Sequence, residues 1–259
     1  QELPLAPGTQ IIEQQVKSIL AGNDSPDIPF DLSINPYRGC EHGCIYCFAR
    51  PTHSYLNLSP GLDFETRIFA KVNAPERLRD AFDARAYKPL PLNLGSATDA
   101  YQPAERRLRL TRRLIEVLAE YRHAFSIITK SSGIERDIDL LAPLAREGLN
   151  AVYVSIPTLD PALARVMEPR ASAPERRLKT IERRLDERFT RAVELIAASS
   201  GRVIVAVAHS RAVSCSATTL PAIAARCSAT VAGSATANPI VPPLWLTNGS
   251  WSWKRYRTD

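Results

Sequence analysis

From Phe30 onward the chain alternates between two hydrophobic periods. Short apolar runs rich in β-branched and aromatic residues give way to longer stretches where Leu, Ile and Val recur at helical spacing. Phe30–Asn35, Pro89–Gly95, Phe125–Thr129 and Val152–Ile156 are predicted as strands, and Val203–Ala208 as a further buried strand. Ala74–Arg85, a stretch ending near Arg122, and Glu135–Arg146 are predicted as helices, with Pro75 suited to a first turn. In the second of these, Leu108, Leu114, Ile115 and Leu118 form the apolar stripe, and Arg106, Arg107, Arg109, Arg112 and Arg113 a solvated face. Strand-then-helix repetition is the pattern of βαβ units, so the fold class is α/β with a parallel sheet.

The pattern also divides the chain. Residues 1–29 are polar and Pro-bearing, with one amphipathic stretch around Ile11–Leu20, and read as an N-terminal extension to a core at 30–194. After Glu194 the composition changes: of 27 acidic residues only Asp259 follows it, and Ala, Ser, Thr, Val and Pro dominate. Residues 195–259 therefore read as a divergent tail, and Ser214–Asp259 shows no strand–helix continuation. Such a bias is expected of a shifted reading frame in a GC-rich gene, or of a truncation. The rival account is a genuine tail docking through Trp245, Trp251 and Trp253. Cys215 and Cys227 make a poor second metal site, lacking a clear third ligand.

Composition narrows the class. In 259 residues, 45% hydrophobic and 23% charged, no apolar run approaches a membrane span. The start at Gln1 has no leader pattern, and the expectation is a soluble, cytoplasmic protein whose thiols stay reduced. A net charge of +6 admits a polyanionic partner, nucleic acid included, without requiring one.

The chemistry concentrates in one run, Gly39-Cys40-Glu41-His42-Gly43-Cys44-Ile45-Tyr46-Cys47. Three thiolates at C-x3-C-x2-C can ligate three irons of a cubane [4Fe–4S] cluster and leave the fourth iron open. The same cysteines with His42 nearby could instead close a structural zinc site, which needs four Cys or His ligands; no second Cys or His pair follows within reach. The remaining polar loops after predicted strands, Ser96–Asp99, Lys130–Ser132 and Pro157–Arg170, lie where ligands collect in α/β folds.

The cysteine loop, with Tyr46 before its last ligand, resembles the signature of the radical S-adenosylmethionine (radical SAM) superfamily. Together with Thr98-Asp99-Ala100-Tyr101-Gln102-Pro103-Ala104-Glu105, Thr129-Lys130-Ser131, and Glu168-Pro169-Arg170 with Arg176 behind it, the chain is similar to the spore photoproduct lyase-like, or DNA repair photolyase-like, branch over about residues 30–185. The resemblance implies a partial, open (β/α)6-type barrel and Cys40, Cys44 and Cys47 as cluster ligands. S-adenosylmethionine on the open iron would be cleaved reductively to a 5′-deoxyadenosyl radical that abstracts hydrogen from a substrate. It further implies Ser96, Thr98 and Asp99 at the methionine ammonium, Lys130 or Arg170 at its carboxylate, and Tyr46 beside the adenine. An electron donor such as flavodoxin or ferredoxin would supply the cluster. Lesion-repairing members carry an extra cysteine in the loop after the second strand; Gly95–Asp99 has none, so thymine-dimer repair is not implied. A zinc-stabilised nucleic-acid-binding module and an inactive cluster-binding homologue remain the alternatives.

Overall fold

The computed structural model describes residues 8–24, 30–184, 193–196 and 204–208. Along the chain run β1 (Gln10–Gln14), β2 (Leu20–Gly22), β3 (Leu32–Ile34), β4 (Tyr37–Arg38), a 3-10 segment at Arg50–Leu56, α1 (Leu62–Thr66), β5 (Arg67–Lys71) and α2 (Ala74–Asp83). Then follow β6 (Leu92–Leu94), α3 (Glu105–Leu108), α4 (Leu110–Glu120), β7 (Phe125–Thr129), a 3-10 segment at Ser132–Asp137, α5 (Ile138–Arg146) and β8 (Asn150–Ile156). The last elements are α6 (Pro161–Met167), α7 (Pro174–Arg184), β9 (Val193–Ile196) and β10 (Ile204–Ala208).

The main sheet has the order β2-β3-β6-β7-β8-β10-β9. Its centre, β3 to β8, is parallel, as the strand–helix repeat predicts; β2, β10 and β9 pair antiparallel at the two sides. Among the described residues the sheet does not close on itself, so the fold is a partial, open α/β barrel.

Strand alternation fixes which face is core. Ile34, Leu92, Leu94, Phe125, Ile127, Val152, Val154 and Ile156 point to the helices and pack with Leu114, Ile115 and Leu118 of α4 and Leu141 of α5. The opposite face carries a polar row in register, Ser33, Asn93 and Ser126, with Asn93 Nδ2 donating to Ser126 Oγ at 2.9 Å.

The segment around Ile11–Leu20 departs from its reading as an extension. It supplies β1, parallel to β5 in a second, three-stranded sheet with β4, and leads into β2 on the main sheet. Ile11 packs against the small cluster of Tyr37, Ile68, Ala70, Ala104 and Leu110, which covers the inner face of that sheet. The strand predicted at Val203–Ala208 is found as β10, but antiparallel to β8. Cys215, Cys227, Trp245, Trp251 and Trp253 lie outside the described residues.

Candidate functional site

Residues that follow β3 turn at Gly39 into the cysteine loop, and the turn explains the glycine. Gly39 sits at φ +82°, where a Cβ would meet the Phe64 carbonyl oxygen at 2.8 Å and the His53 ring at 2.9 Å. The Gly39 carbonyl accepts from Thr98 Oγ1 at 2.7 Å and Gln102 Nε2 at 3.2 Å, while Cys40 N–H donates to Phe64 O at 2.9 Å. Gly43, at φ +69°, makes room for the Arg170 guanidinium, which a Cβ would approach to 2.6 Å. Arg170 donates to the Glu41 carbonyl and the Glu65 carboxylate. Arg50 Nε reaches the Cys44 carbonyl at 2.9 Å and also pairs with Glu65. Ile45 N–H bonds Met167 O at 3.0 Å, tying the loop to the end of α6.

All three thiols are free; Cys40 and Cys44 are buried and Cys47 is half-buried. Burial, and then the Asp99 charge, pushes the Cys40 thiol well up, although the backbone N–H groups of Asp99 and His42 face its sulfur. Burial, and then Glu168, lifts Cys44 to about 12 against the opposing charge of Lys130. These are soft donors held off from water, whose protons a bound metal would displace. No group of three or more Cys, His, Asp or Glu is gathered around one point as a single-ion site among the described residues. A cubane asks something different, one thiolate for each of three irons. The donor set and its pinned loop fit that group.

The loop after β6 and the end of β7 meet beside Cys40. Asp99 Oδ1 accepts from Tyr101 N at 2.9 Å and Thr129 Oγ1 at 2.7 Å; Oδ2 accepts from Lys130 N at 2.7 Å. His42 Nδ1 stands 3.3 Å from Oδ2 without hydrogen-bond alignment. Burial alone would raise the Asp99 carboxyl, but the His42 charge and these donors outweigh it and hold it at about 2. Thr98 is likewise occupied, bonded to Gly39 and accepting from Gln102 at 3.1 Å. Ser96 is half-buried and bonds the Asn35 amide at 3.1 Å.

Lys130 and Tyr46 come together over Glu168. Lys130 Nζ donates to Ser155 Oγ at 2.7 Å, lies 3.3 Å from Glu168, and stands 5.6 Å from the Tyr46 ring centroid. The Tyr46 hydroxyl donates to Glu168, and burial followed by that carboxylate raises its pKa strongly. Arg170 is not in this group; it braces the cysteine loop through the Glu41 carbonyl and Glu65.

The sequence did not single out Glu65, Arg50 or Arg177 for any role. Arg177 is fully buried, bonded to Ser172 O at 2.6 Å and Ser155 O at 2.7 Å, and paired with buried Glu168. Glu168 is held below the usual carboxylate range: burial raises it, and Lys130 and Arg177 more than reverse that. Arg176, grouped with Arg170 in sequence, instead pairs with Glu135.

A barrel-like α/β core with a three-cysteine loop at the carboxyl end of its first parallel strand defines a class, and the family comparison agrees: the model of the radical SAM superfamily matches residues 34–197. The chain belongs to the radical SAM superfamily. It is 40% identical over 154 residues to an uncharacterized protein of Mycobacterium tuberculosis, covering 60% of this chain and 45% of that one. It is 27% identical over 150 residues to an uncharacterized protein of Methanocaldococcus jannaschii, covering 58% and 53%. The chain thus spans about half the length of these curated relatives. Among solved structures it is similar to spore photoproduct lyase complexed with dinucleoside spore photoproduct, at 15% identity and a TM-score of 0.47, covering 66% of this chain and 46% of that one. No helix among the described residues is long and apolar enough to cross a membrane.

Proposed function

We propose that this chain is a radical SAM enzyme in which Cys40, Cys44 and Cys47 hold a [4Fe–4S] cluster and S-adenosylmethionine is cleaved reductively for hydrogen abstraction. The observation that carries this reading is the cysteine loop itself. Three free thiols stand on a backbone pinned by Thr98, Gln102, Arg50, Arg170 and the Phe64 carbonyl, so their positions are set before iron arrives. The cluster, when bound, supplies the electron that splits the sulfonium to methionine and a 5′-deoxyadenosyl radical.

The chain's own residues divide the remaining work. Thr98, Asp99 and Arg170 have their polar atoms engaged and position the loop and the end of β7. Ser96 and Lys130, though bonded to Asn35 and to Ser155 and Glu168, are half-buried where Thr98 and Asp99 are buried, and would meet the ammonium and carboxylate of S-adenosylmethionine by exchanging those contacts. Lys130 suits the carboxylate because it is a partly exposed cation already aimed by Ser155 and Glu168. The ring of Tyr46, fixed through its hydroxyl to Glu168, offers a face for the adenine.

Anaerobic reconstitution tests the ligand set. The expected result is a brown protein with about four irons per chain, and Cys40→Ala, Cys44→Ala and Cys47→Ala variants that each lose the colour. A colourless protein retaining zinc would overturn the reading in favour of a structural metal site.

A further inference from the structure

The small sheet carries two cations without partners among the described residues. Tyr37 pairs with Ala70 and Arg38 with Phe69, and Lys71 N–H donates to Pro36 O at 3.0 Å. The pleat therefore sends Tyr37 and Ala70 into the apolar cluster, and Arg38 and Lys71 together to the opposite face. As diagonal cross-strand neighbours they stand about 7 to 8 Å apart at the backbone. Neither side chain makes a hydrogen bond or an ion pair with any described residue, whereas most arginines of the core are paired. Both line a cavity of about 380 Å³, together with Asn35, Thr52, Tyr55 and Ala97.

The cavity's position gives it a use. Arg38 lies two residues before Cys40, Thr52 and Tyr55 follow Cys47 in the 3-10 segment, and Ala97 packs against the cluster of Cys40, Ala49 and Phe64. The opening is therefore next to the cysteine loop. Its chemistry is that of an anion seat: two cations, with an exposed tyrosine ring at the rim, while the Asn35 amide and Thr52 hydroxyl in the lining are engaged with Ser96, Ala97 and Ala49. Among the described residues no carboxylate lines it. Burial, and then the Arg38 charge, brings the Lys71 ammonium down to about 8, as expected for positive charge that no described residue balances.

We infer that Arg38 and Lys71 form a phosphate-recognition subsite that seats a phosphate-bearing substrate beside the cysteine loop. Arg38 presents its planar fork to two phosphate oxygens, and Lys71 adds a point charge from the cavity wall. Phosphate binding is a property of the chain alone. Only its use for positioning a substrate rests on the function proposed above.

Calorimetric titration of the full chain tests this at fixed ionic strength. The probes are inorganic phosphate, a nucleoside 5′-monophosphate, a dinucleoside phosphodiester and the unphosphorylated nucleoside. Phosphate and the monophosphate are expected to bind, and the nucleoside is not. Arg38→Gln and Lys71→Gln are each expected to weaken binding by about tenfold or more, the loss of one charge-assisted bond. Lys71→Arg, which keeps the charge, is expected to restore most of it and serves as the control for folding. Competition by the diester would identify a backbone phosphate, and its failure a terminal one; both support the subsite. Binding of the nucleoside as tight as its monophosphate, or full affinity in the Arg38→Gln/Lys71→Gln double variant, would overturn it. So would displacement of phosphate by S-adenosylmethionine from the cluster-free chain, because the cavity would then belong to the cofactor. The visible spectrum of a reconstituted sample is read separately. Lost phosphate binding with a brown protein fails the subsite alone, and phosphate binding by a colourless protein fails the cluster reading alone.

Discussion

Asp99 shows how a single carboxylate can organise the site without facing solvent. It joins three segments, through Tyr101, Thr129 with Lys130, and His42, and its ionised form is what those donors stabilise. Its folded carboxyl is depressed from 3.8 to about 2, so its contribution is complete above the unfolded value and is lost as pH falls from 3.8 toward 2. That contribution is about 2 kcal/mol. Urea unfolding of the metal-free chain and of Asp99→Asn should therefore differ by at least this much at pH 7, with the gap closing at the acid end. A gap independent of pH would contradict the account. Gly43 makes a second residue-scale test. Gly43→Ala places a Cβ in the left-handed region and 2.6 Å from Arg170, so iron bound after reconstitution should fall by more than half. The cysteines and their glycines were legible in the sequence because their spacing encodes the chemistry locally, and the Thr98–Glu105 segment was legible through the family resemblance. Glu65 was not, because its partner Arg170 lies 105 residues away. In sequence, such a pair looks like two ordinary surface charges.

At the scale of elements, the central strands and helices were legible from periodicity, and β7 was predicted with its observed ends at Phe125 and Thr129. Their apolar faces are long enough to give an unambiguous period. The small sheet was missed because β4 is two residues long and β1 draws its partner β5 from more than fifty positions away, so nothing local marks them as strands. The junction of α7 with the sheet rests on a buried ion pair. Arg177 spans Ser155 of β8, Ser172 and Glu168, so removing it takes the buried partner from Glu168 Oε2 and leaves that carboxylate, among the described residues, only Lys130 and Tyr46 at its other oxygen. Arg177→Met should cost about 3 to 5 kcal/mol. The Arg177→Met/Glu168→Gln pair should recover a large part of that loss in a double-mutant cycle of unfolding free energies. Additive losses would mean that the two charges act separately. Leu114→Ala, in the fully buried stripe of α4, should cost about 2 to 5 kcal/mol by denaturant titration, with no effect on iron content beyond that of stability.

For the whole molecule, the open sheet places the cysteine loop, Ser96 and Lys130 at one end of parallel strands, with the phosphate-seating cavity beside them. The family match ends at residue 197, just past the compositional break after Glu194. We propose that the break reflects a shifted frame. Translating the other two frames of the gene's 3′ end should give a periodic strand–helix continuation, and two aperiodic translations would dispose of the idea. The central claim is that the pinned cysteine loop supports cleavage of S-adenosylmethionine. The most direct test incubates the reconstituted chain with dithionite and S-adenosylmethionine and measures 5′-deoxyadenosine by chromatography. The account predicts release of 5′-deoxyadenosine that depends on reductant and is abolished in Cys44→Ala. A fully reconstituted, reduced protein that releases none would contradict it.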